Sequence, residues 1–447
     1  MSSQKPRSRI EHWLLQSSGV ISRNQTDIDG LRGIAVVMVF LVHAWSLSGS
    51  PRLAGASNSS LISPLIPMLD SGIDLFFVIS GYLVSLKFLD AAHQKKDQPS
   101  LKQYRRERIF RIFPLYWVLL ASVPLVMSPM LVNESSVFSL DGLRAFVLYI
   151  PMLSVLFPWS FRHFFVISPV WTLTVELCFY ILVPFIYHLF LGKRWRLFLP
   201  LSLLLSVGWL VFLKVGLGSD IANWYGMYNS PKVAARAFGQ IILSAQIPTF
   251  AFAFATGLSV ASIVSQRKLH PKVTDSFSVS QYLVPIGTAL TLVVLYTFGS
   301  IKSEFGLSNP FYLVGNDETK VLIFYYLHHI APVVGFGLIL AGVVLNDRPH
   351  RLIGAAPFRV IGILGYGVYL WHFPVMFSQS WISWVAKLDP ARRFLVAVTF
   401  GGVTTLVLSV ITWTAIERPF INRGKRGSLR VPDSEVFPMA QPELPSS

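Results

Sequence analysis

Apolar residues run through this chain in long blocks separated by short polar connections, and most blocks approach the roughly 20 residues that carry a helix across a bilayer. The blocks fall near 30–49, 72–90, 112–132, 168–191, 197–215, 241–264, 282–298, 324–345, 361–381 and 394–416. One further stretch, Ala145 to Phe157, has thirteen residues, is broken by Pro151 and followed by Pro158, and reads as a re-entrant or interfacial segment. Cations gather in every second connection: in Lys87 to Arg111, in Gly192 to Arg196, in Arg267 to Lys272 and in Arg348 to Arg359. The loop after the first block carries only Arg52 before Asp70, and the segment after the third carries Glu134 and Asp141. Basic loops stay in the cytoplasm. The pattern therefore predicts an all-α polytopic membrane protein with about ten transmembrane helices, a short re-entrant segment and both termini in the cytoplasm. A basic arm, 1–27, with a short amphipathic helix around Ile10 to Leu15, leads into a membrane domain, 28–420. A tail, 421–447, with Pro432, Pro438, Pro442 and Pro445 among polar residues, reads as disordered.

Composition sharpens this picture. Hydrophobic residues make up 53% of the 447 and charged residues only 13%, against about 25% charged in a soluble domain. The net charge of +16, from 38 basic and 22 acidic residues, would in a soluble chain suggest nucleic acid; here it marks the loops, and no nucleic-acid partner is expected. A single cysteine, Cys178, excludes an internal disulfide and a cysteine-based zinc site. The first residues, with Lys5, Arg7, Arg9 and Arg23 and no apolar core, do not form a cleavable signal peptide.

Against that apolar background a few ionisable residues stand out. In the first block, Ile28 to Trp45, Arg32 and His43 are eleven residues apart, which closes to within about 20° of three turns and separates them by about 16 Å along one helix face. Asp29 is about 40° from His43 on the same face. With Arg32 at the water boundary, His43 reaches the middle of the bilayer, where an ionisable side chain is expensive unless it serves a cavity or bonds a neighbouring helix. Both readings stay open for it. Asp74 opens the second block, as a substrate contact or as a carboxylate favoured by a helix N-terminus. Arg108 and Arg111, three apart, suit a phosphorylated ligand or are ordinary loop charge. Glu176, in Trp171-Thr-Leu-Thr-Val-Glu176, must be neutral, solvated or paired, with His43 or an arginine as candidate partners. His372, followed by Pro374, is a second mid-depth histidine. His328 and His329 read as interfacial or structural. No set of side chains has metal-ligand spacing, so no metal is expected.

Taken together these segments resemble the integral-membrane acyltransferase-3 family, bacterial enzymes that acylate sugars and other hydroxyl compounds. The resemblance rests on Asp29-Gly-Leu-Arg32-Gly with Arg32-x10-His43, then Gly72-Ile-Asp74-Leu-Phe-Phe-Val-Ile-Ser80-Gly81-Tyr82, and Arg108-x2-Arg111. It continues through Trp171-Thr-Leu-Thr-Val-Glu176, Tyr366-Gly-Val-Tyr-Leu-Trp-His372-Phe-Pro374 and Glu417-Arg-Pro419, in the family's order over about 27–420. After Glu176 the chain departs from the commoner pattern, with Leu177-Cys178 where polar residues are frequent. The resemblance implies transfer of an acyl group, usually acetyl from acetyl-CoA, to a glycan or glycolipid hydroxyl in the bacterial cell membrane, with no permanently bound cofactor. It makes His43 the catalytic histidine with Arg32 as its charged partner, adds Glu176 to the catalytic candidates, and assigns Arg108 and Arg111 to the CoA phosphates. Asp74, Ser80, Tyr82, Trp171 and His372 become substrate-contacting or structural polar positions. The competing class is a proton-coupled transporter using His43, Glu176 and His372 as a proton path; no internal repeat supports it.

Overall fold

The computed structural model describes residues 23–50, 64–122, 124, 139–157, 160, 164–227, 235–269, 280–304, 318–346, 350–379 and 382–425. Every described regular element is helical, as lipid demands, since a helix satisfies its backbone groups internally. The first helices are α1 (Arg23–Leu47), α2 (Gly72–His93, entered through a 3-10 turn at Ile66–Ser71), α3 (Leu101–Ser122) and the short α4 (Leu140–Tyr149). They are followed by α5 (Trp171–Ile186), α6 (Trp195–Lys214), α7 (Gly216–Met227), α8 (Ala235–Ser244), α9 (Ala251–Leu269) and α10 (Ser280–Glu304). The last are α11 (Thr319–Leu327), α12 (Ala331–Leu345), α13 (Ala356–Ile363), α14 (Gly365–Gln379) and α15 (Pro390–Lys425), the last carrying π-helical turns at Ala397–Gly401 and Trp413–Glu417.

Eight described helical stretches are long and apolar enough to cross a membrane, and α13 with α14 makes a ninth if that pair is one span. These nine coincide with nine of the ten expected crossings. The remaining one, 112–132, is entered by α3, and its second half lies outside the described residues. The expected crossing at 361–381 is broken, with α13 and α14 meeting at 80° around Leu364. Such a break is tolerated only where the freed backbone is covered by protein or lines a cavity; here α13 lies against α1, and Gly365 at the head of α14 lines the cavity described below. The segment expected to be re-entrant, 145–157, holds the second half of α4, a turn and a 3-10 turn at Ser154–Leu156. Ten helical residues rise about 15 Å, half a hydrocarbon core.

Helix extends past both ends of the stretch expected as the membrane domain. Helix α1 is already formed at Arg23, and α15 continues to Lys425, so residues 421–425 are helical where the tail was expected to begin. That last turn is held to α3, where Gln103 Nε2 donates to the Gly424 carbonyl at 2.9 Å and Arg106 Nη2 to that of Arg423 at 3.1 Å. The amphipathic segment at Ile10–Leu15 lies outside the described residues.

The core is built on α2 and α9, the most enclosed of the long helices, while α6, α10 and α15 turn residues such as Leu204, Val293 and Val403 outward to lipid. Small residues let the central helices approach, as is usual in membranes. Between α1 and α13 the approach is closest, since a Cβ at Gly362 would lie 1.7 Å from the Asp29 carbonyl oxygen and one at Gly33 1.9 Å from that of Phe358. Overpacking typically costs about 1–3 kcal/mol. Gly362→Val is expected to lower the thermal unfolding midpoint in detergent, whereas Gly208→Val, at a position where a Cβ meets nothing within 4 Å, leaves it in place; equal midpoints for the two variants would contradict the close crossing.

Candidate active site

One end of the bundle collects the cations, and its connections are tied together there. Lys268 pairs with Asp90 at 2.6 Å, Arg267 Nη1 donates to the Leu345 carbonyl at 2.5 Å, and His93 bridges the Ser265 hydroxyl at 2.9 Å and the Gly192 N–H at 3.0 Å. A cavity of about 260 Å³ lies between α1, α2, α3, α5 and α14. Its charged lining is Arg32, Arg108, Arg111 and Glu176, three guanidinium groups to one carboxylate, which suits an anion with several acidic groups. The Glu176 carboxylate is already occupied: Oε1 accepts from Ser80 Oγ at 2.8 Å and from the Tyr180 hydroxyl. The Arg108 guanidinium stands over the rings of Tyr180, at 5.0 Å, and Tyr104, at 5.5 Å, and its buried Nε has no hydrogen-bond partner among the described residues. Arg32 pairs with Asp29 one turn earlier at 3.7 Å.

The two mid-depth histidines meet beyond this cavity. Nε2 of His372 on α14 is 3.0 Å from Nδ1 of His43 on α1, and Nδ1 of His372 is 2.6 Å from the carbonyl oxygen of Tyr369. Apolar rings enclose the pair: the Phe373 ring centroid is 5.1 Å from that of His43, and that of Phe40 is 6.5 Å from that of His372. Tyr369 is shared between the two places. Its ring lines the cavity and is 5.6 Å from the His372 ring, while its hydroxyl is fixed by Thr172 Oγ1 at 2.6 Å and the Pro169 carbonyl at 2.8 Å.

Several sequence-level pairings are replaced. Arg32 is not brought to His43; the two stay eleven residues apart on one helix, about 16 Å, and each has found another partner. Glu176 likewise goes to Ser80 and Tyr180 rather than to His43. Asp74, the third residue of α2, is fully buried and bonds His329, with Oδ2 to Nδ1 3.1 Å, outside the cavity. Tyr82 is packed in the apolar core, and Trp171 lies against Phe250 with ring centroids 5.7 Å apart.

Sequence reasoning missed two groups of residues. At the end of the bundle opposite the cations, Lys302 pairs with Asp70 at 2.9 Å, close to Asp74 and to the rings of His328 and His329, whose centroids are 4.0 Å apart. Asp74, His328 and His329 stood out singly in the sequence, but their grouping with Asp70 and Lys302 did not, because the five polar residues are scattered along the chain at the ends of apolar blocks. Removing the Lys302 cation leaves a largely sequestered carboxylate alone, at an expected cost of about 1–3 kcal/mol. Lys302→Met is therefore expected to lower the unfolding midpoint, and adding Asp70→Asn to recover part of the loss; purely additive effects in the double-mutant cycle would argue against the pair. The second omission is Glu417, buried on α15 within electrostatic range of Arg111 and Arg32. It stood in the closing motif without an assigned place. Among the described residues no three His, Cys, Asp or Glu side chains are grouped as metal ligands would be.

The pattern of the acyltransferase domain family matches residues 25–414 of the chain, from the turn before Asp29 to the turn before Glu417. The protein belongs to this acyltransferase family. Similar proteins include the peptidoglycan O-acetyltransferase OatA of Listeria monocytogenes, 25% identical over 89% of this chain and 56% of the relative, and the O-acetyltransferase OatA of Staphylococcus aureus, 22% identical over 89% and 57%. Nodulation protein 10 of Rhizobium leguminosarum bv. viciae is 26% identical over 89% of this chain and 94% of its own length. The chain thus spans somewhat more than half the length of the two O-acetyltransferases and nearly all of the nodulation protein. No solved structure matches it.

Proposed function

We propose that the protein is a membrane O-acyltransferase that moves an acyl group, acetyl in the first instance, from acyl-CoA to a hydroxyl of a carbohydrate or glycolipid acceptor. It works in the bacterial cell membrane with its cation-rich end, and both termini, in the cytoplasm. The observation that carries this reading is the convergence of Arg32, Arg108 and Arg111 in one cavity, with the His43–His372 pair about 16 Å farther along α1. Acyl-CoA has its phosphates and its thioester at opposite ends of a long pantetheine arm, so phosphates held by the arginines direct the thioester inward toward the histidines. The two O-acetyltransferases among the relatives give acetyl as the first group to test.

In the transfer, an unprotonated ring nitrogen of His43 takes the acceptor's hydroxyl proton while the oxygen bonds to the thioester carbonyl carbon. The carbon–sulfur bond then breaks, the sulfur leaves with the electron pair, and the histidine returns the proton to it, so the ring ends as it began. A thioester is reactive enough for this without a metal. Arg32, Arg108 and Arg111 hold and orient the donor; Ser80 and Tyr180 keep the Glu176 carboxylate turned to their hydroxyls, leaving the guanidinium groups to the ligand.

Mass spectrometry of envelope glycans and lipids tests the proposal in cells carrying the gene, its deletion, or His43→Ala at matched protein level. One fixed acyl mass increment is expected with the native gene alone. An increment retained by His43→Ala would remove that residue from the chemistry. No increment in any strain, together with no CoA release by the purified protein, would overturn acyl transfer itself.

A further inference from the structure

We propose that His372 is a positioning residue that holds His43 in the one tautomer whose Nε2 carries the free lone pair. The inference rests on His43 acting as the base, and adds which nitrogen acts and what selects it.

Hydrogen-bond polarity fixes the direction of the contact. A neutral imidazole has one N–H and one bare nitrogen. The Tyr369 carbonyl can only accept, so the His372 Nδ1 that lies 2.6 Å from it carries the hydrogen. His372 Nε2 is then the bare nitrogen, and the His43 Nδ1 facing it at 3.0 Å must donate. The lone pair of His43 is left on Nε2. The other possibility, a doubly protonated His372 donating to His43, would leave an imidazolium among Phe40, Tyr369 and Phe373 with no adjacent carboxylate among the described residues; among them Asp70 reaches the pair electrostatically and is already engaged by Lys302 at 2.9 Å. Burying a cation without a partner is expensive, and the neutral arrangement avoids it. The chain carbonyl–His372–His43 is thus ordered in one direction. It does for His43 what a carboxylate or carbonyl does for the histidine of other acid–base sites, where the second ring nitrogen is held by an acceptor and the tautomer follows. Tyr369 adds a structural link, because its side chain is pinned by Thr172 and Pro169 at the cavity wall while its carbonyl starts the chain.

Glutamine separates this role from simple packing. Its carbonyl oxygen can accept from His43 Nδ1 while its amide donates to the Tyr369 carbonyl; leucine and phenylalanine can do neither. In purified protein assayed for CoA release from acetyl-CoA with an acceptor, His372→Gln is expected to keep kcat within about tenfold of the native value, whereas His372→Leu and His372→Phe lose about a hundredfold. KM for acetyl-CoA is expected to hold in all three, because the arginine cavity is untouched. Two apolar variants, one of them ring-shaped, guard against a single misfolded protein, with monodispersity on size exclusion as the check. Equal losses in the glutamine and apolar variants, undiminished kcat in the apolar ones, or a change confined to KM would each overturn the positioning role. His43→Ala in the same series keeps the two claims apart: an active His43→Ala removes the base itself, whereas an inactive one beside a fully active His372→Leu removes only the inference about His372.

Discussion

Exchanging His43 for alanine is expected to lower kcat by about 10²- to 10⁴-fold, the usual worth of a positioned general base, with KM for acetyl-CoA changed little. A sugar hydroxyl is a weak nucleophile at neutral pH, and its proton must leave as the bond to the thioester carbon forms. His43 is held for that task by a bond to His372 and by the Phe373 ring. On the proposed reading the donor's phosphates are held by Arg32 of α1 and by Arg108 and Arg111 of α3, away from His43, so truncating the histidine is expected to remove an interaction made in the transition state and not one made on binding. Steady-state CoA release at varied acetyl-CoA, with the apo-protein's unfolding midpoint measured alongside, decides the matter. A loss falling on KM alone would place His43 in donor binding.

The second large effect is expected in the arginine cavity, and of the opposite kind. Arg108→Ala or Arg111→Ala should each raise KM for acetyl-CoA by roughly 10- to 100-fold, since a hydrogen bond to a charged group contributes about 1.5–3 kcal/mol. Lysine should rescue only in part, because an ammonium cannot offer the planar fork that grips a phosphate through two bonds. Arg108 has a further stake, as its guanidinium lies over the rings of Tyr104 and Tyr180, and its Nε is buried with no partner among the described residues. A buried donor left unused in the protein alone is the group a ligand would satisfy. Titrating the same variants with acetyl-CoA and with a short acyl thioester lacking the nucleotide gives a clean contrast: the variants should lose affinity for the first and not for the second. Equal losses toward both donors would show that these arginines support the fold and not the phosphates.

The membrane architecture was legible in the chain because lipid enforces it locally. A helix must satisfy its own backbone, so a long apolar block predicts a span with little reference to its neighbours, and nine of the expected crossings have their counterparts among the described helices. Most candidate residues were legible for the same reason: Arg32, His43, Glu176 and His372 stood out because each ionisable group is costly in an apolar block, whereas Arg108 and Arg111 stood out by their spacing of three at the end of a basic loop. Helix geometry alone puts Arg32 and His43 on one face, about 16 Å apart along the axis.

Which of those groups meet was a different question, and the sequence left it to the packing. His43 and His372 are separated by 329 positions, and no periodicity within α1 or α14 states that the two helices bring their rings to 3.0 Å. The 80° break at Leu364 that sets the head of α14 against the cavity is likewise invisible in the composition of 361–381, which reads as one continuous apolar block. Asp74 with His329 and Lys302 with Asp70 follow the same rule: each member was visible as a polar residue near an apolar block, and each pair exists only because α2, α10 and α11 converge at one end. The chain by itself determined the spans, the sidedness of charge and the short set of residues too expensive to be idle. Tertiary structure alone decided their partners, because burial cost is a property of one residue in its helix, whereas a hydrogen bond of 3 Å depends on the relative placement of two helices that only the whole bundle sets.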